Sequence, residues 1–164
     1  MTQLPIQRYR TIILQPHWMQ FVINELPMLI ITSVAFIAGG MDEMPLANLC
    51  LIIAGLLAVR LLYTFIYLRR IECRINEEQL IMNHGVFTRK SDYLELYRIV
   101  DFNEHRTLMQ QICGLKTVTI YSGDRSTPKL DIIGVKNDLD LVSLVRERVE
   151  LNRRRKGIYE IANR

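Results

Sequence analysis

The periodicity of apolar and polar positions along this chain changes abruptly at Arg69-Arg70. Before it, Leu46 to Leu68 forms a twenty-three-residue apolar run with Arg60 as its only charge. At roughly 1.5 Å per residue such a helix reaches about 34 Å, enough to cross a hydrocarbon core of about 30 Å with some tilt. A second apolar stretch, Trp18–Ala38, precedes it and is interrupted near its start by Asn24, Glu25 and Pro27. Between them lies Gly39-Gly40-Met41-Asp42-Glu43-Met44-Pro45, a short polar turn with two glycines and a proline. Two spans joined by so short a loop run antiparallel. The pattern predicts a transmembrane hairpin over residues 18–68, with residues 1–17 as an N-terminal cytoplasmic segment.

After Arg70 the period becomes two. Ile71, Cys73 and Ile75 alternate with Glu72 and Arg74, Asn76-Glu77-Glu78 reads as a turn, and Gln79–His84 as a second strand closed by Gly85. Thr88–Tyr97 predicts a third strand centred on Tyr93 and Leu94, and Ile99–Glu104 a fourth. Arg106–Cys113 has a short helical pattern ending at Gly114, a C-cap residue. Lys116–Tyr121 alternates Val118 and Ile120 against Thr117 and Thr119, Ser122-Gly123-Asp124 turns, and Lys129–Val135 gives the next strand. Asn137 or Asp138 is placed to cap a final helix with the apolar stripe Leu141, Val142, Leu144, Val145 and Val149. The expectation is one strand-rich domain over residues 69–156, closed by an amphipathic helix, and a tail over 157–164.

Charge gives the hairpin a direction. Arg8 and Arg10 precede the first span and Arg69 and Arg70 follow the second, while the connecting loop carries only Asp42 and Glu43. An excess of arginine on both outer flanks puts both termini and the domain in the cytoplasm. Trp18, Tyr63 and Tyr67 fall near the same boundary, where amphipathic rings favour the interface. A cleaved signal peptide is the rival reading; Glu25 and Pro27 inside the first span weigh against it.

Two charges lie within the spans. Glu25 is thirteen residues before Ala38 and Arg60 fourteen after Leu46, so both sit about 20 Å from the outer turn. Unpaired charges in hydrocarbon are costly, and the matched depth favours a Glu25–Arg60 ion pair. The alternative is that each snorkels separately toward the headgroups. Small residues at Ala54, Gly55 and Ala58, and at Ala35 and Gly39, would let helix backbones approach closely, within the hairpin or between copies.

Composition narrows the chemistry. Of 164 residues with net charge +4, residues 146–164 contribute seven Lys/Arg against three Asp/Glu, so the basic excess is a C-terminal tail and not a nucleic-acid-binding face. Cys50, Cys73 and Cys113 are scattered with no metal spacing, and cytoplasmic thiols stay reduced. His17, His84 and His105 stand apart, no glycine-rich phosphate loop occurs, and the Ser-Asp pairs read as turns. Nothing here assembles a familiar catalytic, metal or cofactor site. The expectation is a non-enzyme.

From residue 71 to 151 the chain resembles the bacterial pleckstrin-homology-like domain of the membrane-flanking type. The resemblance is carried by Asn76-Glu77-Glu78-Gln79-Leu80-Ile81, by Gly85-Val86-Phe87-Thr88-Arg89-Lys90, by Leu96, Arg98-Ile99 and Asp101, and by Leu108 with Gly114-Leu115-Lys116-Thr117-Val118 and Ile120. It implies a membrane-anchored α+β protein: a transmembrane hairpin, then a PH-like antiparallel β-sandwich or barrel plugged by a C-terminal helix, at the bacterial inner membrane. Within that pattern Leu96 and Ile99 are expected to bury while Arg98 reaches Asp101.

Two functions from different classes fit. One is an assembly or adaptor module that offers a sheet edge or groove to a protein partner or to another copy. The other reads anionic lipid through Arg89-Lys90 or through Arg153-Arg154-Arg155-Lys156, each charge worth about 1 kcal/mol near an acidic leaflet. Because a hairpin already anchors the chain, lipid affinity is not needed for localisation, which favours assembly.

Overall fold

The computed structural model describes residues 9–41 and 45–157. The loop centre at Asp42–Met44, Arg8 and the tail from Ile158 therefore lie outside the described residues. The elements run β1 (Ile12–Leu14), α1 (Met19–Gly39), α2 (Ala47–Arg70), β2 (Glu72–Ile75), β3 (Gln79–His84), β4 (Lys90–Glu95), β5 (Ile99–His105), α3 (Leu108–Ile112), β6 (Leu115–Ser122), β7 (Lys129–Lys136) and α4 (Leu141–Arg155). α1 and α2 are long and apolar enough to cross a membrane, with mean hydropathy 1.9 and 2.4. Their backbones approach closely where a Cβ on Gly39 would meet the Leu51 side chain at 2.6 Å, and Ala54 is fully buried. Nothing lies within 4 Å of a Cβ built on Gly55, so that glycine is not used between the two helices.

Two antiparallel sheets follow, one ordered β1-β2-β3-β4 and the other β5-β6-β7. Inward residues of both, among them Ile75, Leu80, Leu94, Val118, Ile120 and Ile132, form one core with Leu141, Val145 and Val149 of α4. Each such side chain contributes about 1.5–3 kcal/mol relative to exposure. The fold is thus the PH-like α+β sandwich closed by its last helix.

β1 was not expected. It pairs with β2 through Ile12↔Ile75, Ile13↔Arg74 and Leu14↔Cys73, so part of the segment before the hairpin belongs to the domain. The hairpin is consequently an insertion between two neighbouring strands. Both of its ends are fastened to one end of one sheet.

Several local expectations need correction. The third strand covers only Lys90–Glu95, because Leu96–Arg98 turn into a short 3-10 helix that buries Leu96. α4 is capped by Asp140, whose side chain accepts from the Ser143 N–H, and not by Asn137 or Asp138. The Asp140 carboxyl is held below its usual range by the Ser143 hydroxyl and then by that backbone N–H. Arg98 does not reach Asp101; it lies 3.5 Å from both Glu95 and Asp124, while Asp101 accepts from the Phe102 N–H. β6 does not alternate, since Leu115 through Ile120 are all buried. Its polar members are satisfied internally: Lys116 pairs with Glu104 at 2.7 Å and the Thr119 hydroxyl donates to Asp131 at 2.6 Å.

Candidate functional site

The domain has two ends, and the helices mark one of them. On that near side the His17 N–H donates to the Gly134 carbonyl at 3.1 Å. Gly134 has φ +66 and a Cβ there would meet the Gln20 side chain and the His17 nitrogen at 3.1 Å, so glycine lets α1 seat directly on β7. Gln110 completes the joint. Its amide donates to Gln20 of α1 and to the Thr117 hydroxyl of β6, each at 2.9 Å, while its carbonyl accepts from the Thr107 N–H. Thr107 returns a bond to the Gln110 N–H, a capping box that fixes the short α3. The Thr-x-x-Gln spacing is visible in the sequence, but nothing in it says that Gln110 also binds the first helix.

Two concavities open near this end. One, of about 310 Å³, is polar and lined by Arg69, Arg70, Arg74 and Arg89 together with Glu72, His84 and Gly85. The exit of α2, strand β2 and the β3–β4 loop thus bring together four arginines. Arg74 is bonded to Glu72. Among the described residues, Arg69, Arg70 and Arg89 have no carboxylate in ion-pair range. Lys90 pairs with His84 across the strands and does not line this pocket. The other concavity, of about 380 Å³, is mainly apolar and runs between β1 and β7, with Ile13, Leu14, Ile132, Ile133 and Val135 on its walls and Cys73 and Met82 at its floor. Burial there pushes the Cys73 thiol up to about 12, so it is a neutral apolar filler.

The far end holds the other basic cluster. Arg155 pairs with Glu77 at 2.6 Å, Lys156 sits 3.9 Å over the Tyr97 ring and 4.0 Å from Glu95, and Arg153 donates to the Ile99 carbonyl at 2.6 Å. Glu77 is in the β2–β3 turn, which points away from the helices. The cluster closes α4, whose fifteen residues run about 22 Å from the near end. Arg154 is exposed on the same last turn. The structure thus places Arg153–Lys156 at the end of the domain opposite the one from which the helices leave. Arg148, which no motif in the sequence marks out, is buried and donates to the carbonyls of Ile75, Asn76 and Arg10 at 2.7, 3.0 and 2.8 Å. Desolvation lowers its pKa from the guanidinium value. It ties α4 to the chain just before β1 and to the β2–β3 turn.

Within the hairpin, an Arg60 guanidinium nitrogen lies 2.6 Å from a Glu25 carboxylate oxygen, with the Glu25 side chain 12% exposed and Arg60 46%. No group of three or more metal-ligating side chains occurs among the described residues.

A two-sheet sandwich with a C-terminal helix over its core, hung from two apolar helices, defines an interaction module of PH type. Comparison with protein families agrees: the model described as "Bacterial PH domain" matches residues 26–149, well over half of the chain. The chain belongs to that family. No curated protein and no solved structure matches it. The matched stretch takes in most of the hairpin and every strand except β1. Such domains are generally non-catalytic and serve as membrane, lipid or protein-interaction modules.

Proposed function

We propose that this chain is a non-enzymatic, membrane-anchored assembly or adaptor subunit, working on protein partners or on its own copies at the cytoplasmic face of the bacterial inner membrane. α1 and α2 span the bilayer as a hairpin, with both termini and the PH domain on the arginine-rich side. Their outward residues support this: Ile30, Ile37, Leu56 and Val59 are exposed along helices that a soluble fold would bury. A topology test substitutes single cysteines and adds an impermeant thiol reagent to intact cells. Only residues 42–44 should label; labelling at Ser122 would sink the hairpin.

The single observation behind the assembly reading is the apolar groove between β1 and β7. Its walls are two sheet edges. The chain leaving β1 is joined to β7 by the backbone bond from the His17 N–H to the Gly134 carbonyl. Ile13 stands exposed on one edge. An extended segment of a partner laid there would find main-chain groups on the edges and apolar recesses between them, as in strand addition. A photo-crosslinking residue at Ile133 of the full chain, in native membranes, tests this. A protein adduct lost on Ile13→Asp supports assembly, whereas adducts confined to lipid overturn it. Anionic-lipid sensing is the second reading, and the arginine-lined pocket favours it.

A further inference from the structure

The two apolar helices meet along a seam, and one flank of that seam is polar. The seam runs through Glu25 and Thr32 on α1 and through Ala54 and Leu61 on α2, all of them buried. Phe21 meets Phe65, Glu25 meets Arg60 and Gly39 meets Leu51, so the helices run antiparallel. One residue turns an α-helix by about 100°. The residues one position before the seam, Asn24 and Ile31 on α1 and Ile53 and Arg60 on α2, therefore leave it sideways. In an antiparallel pair that backward step turns both helices to the same flank. The flank is open: Asn24 is exposed, Ile31 is 51% and Ile53 45% exposed, and the Arg60 side chain 46%.

The hydrogen-bonding groups on this flank are only half used. Arg60 carries five N–H donors. One of its nitrogens bonds Glu25 Oε2 at 2.6 Å, and among the described residues neither head group makes another bond. Asn24 Oδ1 accepts from the Gln20 amide at 2.8 Å, while the Asn24 NH2 donates to nothing among the described residues. Glu25 lies six residues beyond Met19, about 9 Å into the span. Water does not satisfy donors at that depth, and each one left free costs free energy. A single hairpin leaves several.

The patch is its own complement. A two-fold axis along the bilayer normal keeps every residue at its own depth. With two such flanks face to face, α2 of each copy stands against α1 of the other. Arg60 then meets the Glu25 and Asn24 of the second copy, donors against acceptors. We propose that this flank is the interface of a two-fold dimer within the bilayer, in which Arg60 bridges the Glu25 of its own hairpin and the Glu25 of the second copy. The dimer rests on the hairpin spanning the bilayer, and not on what fills the groove between β1 and β7.

Rescue between copies tests the exchange. Two differently tagged full chains are expressed together, extracted into native nanodiscs and pulled down through one tag. Native chains should co-purify. Glu25→Gln paired with itself, and Arg60→Gln with itself, should co-purify about tenfold less, the loss expected for two symmetry-related pairs in lipid. Mixing Glu25→Gln with Arg60→Gln should recover about threefold, because one of the two cross-pairs forms again. A pair that works only within its own chain gives no recovery, since each variant lacks its own partner. A second measurement leaves the charges untouched. Ile31 is seven residues after Asn24 and Ile53 seven before Arg60, so both lie at one depth, two turns farther out. With Cys50→Ala and Cys113→Ala in every chain, Ile31→Cys in one copy and Ile53→Cys in the other should join under oxidant in native membranes. Ile52→Cys, turned about 100° away, should not. Absence of the 31–53 link, or equal linking through position 52, overturns the dimer even where the charge variants fail to fold. The thiol-reagent assay at Ser122 on the same membranes separates that outcome from a failed hairpin, which would take the dimer with it.

Discussion

The near and far ends of the PH domain carry similar basic sequences and use them differently. At the far end Arg155 and Lys156 are taken up by Glu77, Glu95 and the Tyr97 ring, and Arg153 by a backbone carbonyl. Their charge is spent within the fold. At the near end Arg69, Arg70 and Arg89 converge on an open pocket without carboxylate partners among the described residues. A run of arginines therefore does not by itself leave its charge open to a ligand. What decides is whether the strands and turns bring acidic groups to meet it.

The ends also differ in how they are fastened, and mutation can separate them. The largest effect is expected at the far end, where Arg148 satisfies three carbonyls from two segments. Arg148→Met should cost about 3 kcal/mol in reversible denaturation of the full chain in detergent, since buried carbonyls lose a charged donor. A loss under about 1 kcal/mol would mean that water replaces the guanidinium readily.

At the near end, Gln110→Met keeps the volume but breaks the bonds to Gln20 and Thr117. A loss of about 2 kcal/mol is expected, together with a broader distance distribution between spin labels at Val34 and Ser126. An unchanged distribution would show that Gly134 and the strand connections alone fix the hairpin to the domain.

The ion pair in the hairpin comes next. Glu25→Ala and Arg60→Ala should couple by about 1 kcal/mol in a double-mutant cycle, because the second change removes a charge the first has stranded. Strictly additive losses would point to independent snorkelling instead.

The smallest effects belong to the surface. Arg155→Met should cost about 0.5 kcal/mol, as expected for a solvent-exposed pair with Glu77. Asp140→Ala should lower the thermal midpoint only where the carboxylate is ionised. The native carboxyl is held below the unfolded value of about 3.9, so its contribution is present above that pH and disappears as acid carries the pH through the native value. A midpoint difference that persists in strong acid would contradict the capping account.

Local periodicity by itself set out most of this protein. The two helices begin and end within two residues of the apolar runs, Gln79–His84 is the strand that its alternation indicated, and Gly85 and Gly114 take positive φ where turns were read. These features depend on neighbours along the chain, and sequence records neighbours along the chain. The membership of β1 was hidden because Ile12–Leu14 is short and gains its structure only by pairing with Cys73–Ile75 across the whole hairpin. The burial of Lys116 and Arg148, the choice of Asp140 over Asp138 as cap, and the partners of Arg98 were likewise decided by groups brought from distant segments. So was the separation of the two basic clusters. Each depends on which end of a strand or helix a residue occupies once the sheets stack, and that is fixed by packing of the shared core, a property no single stretch of the chain contains.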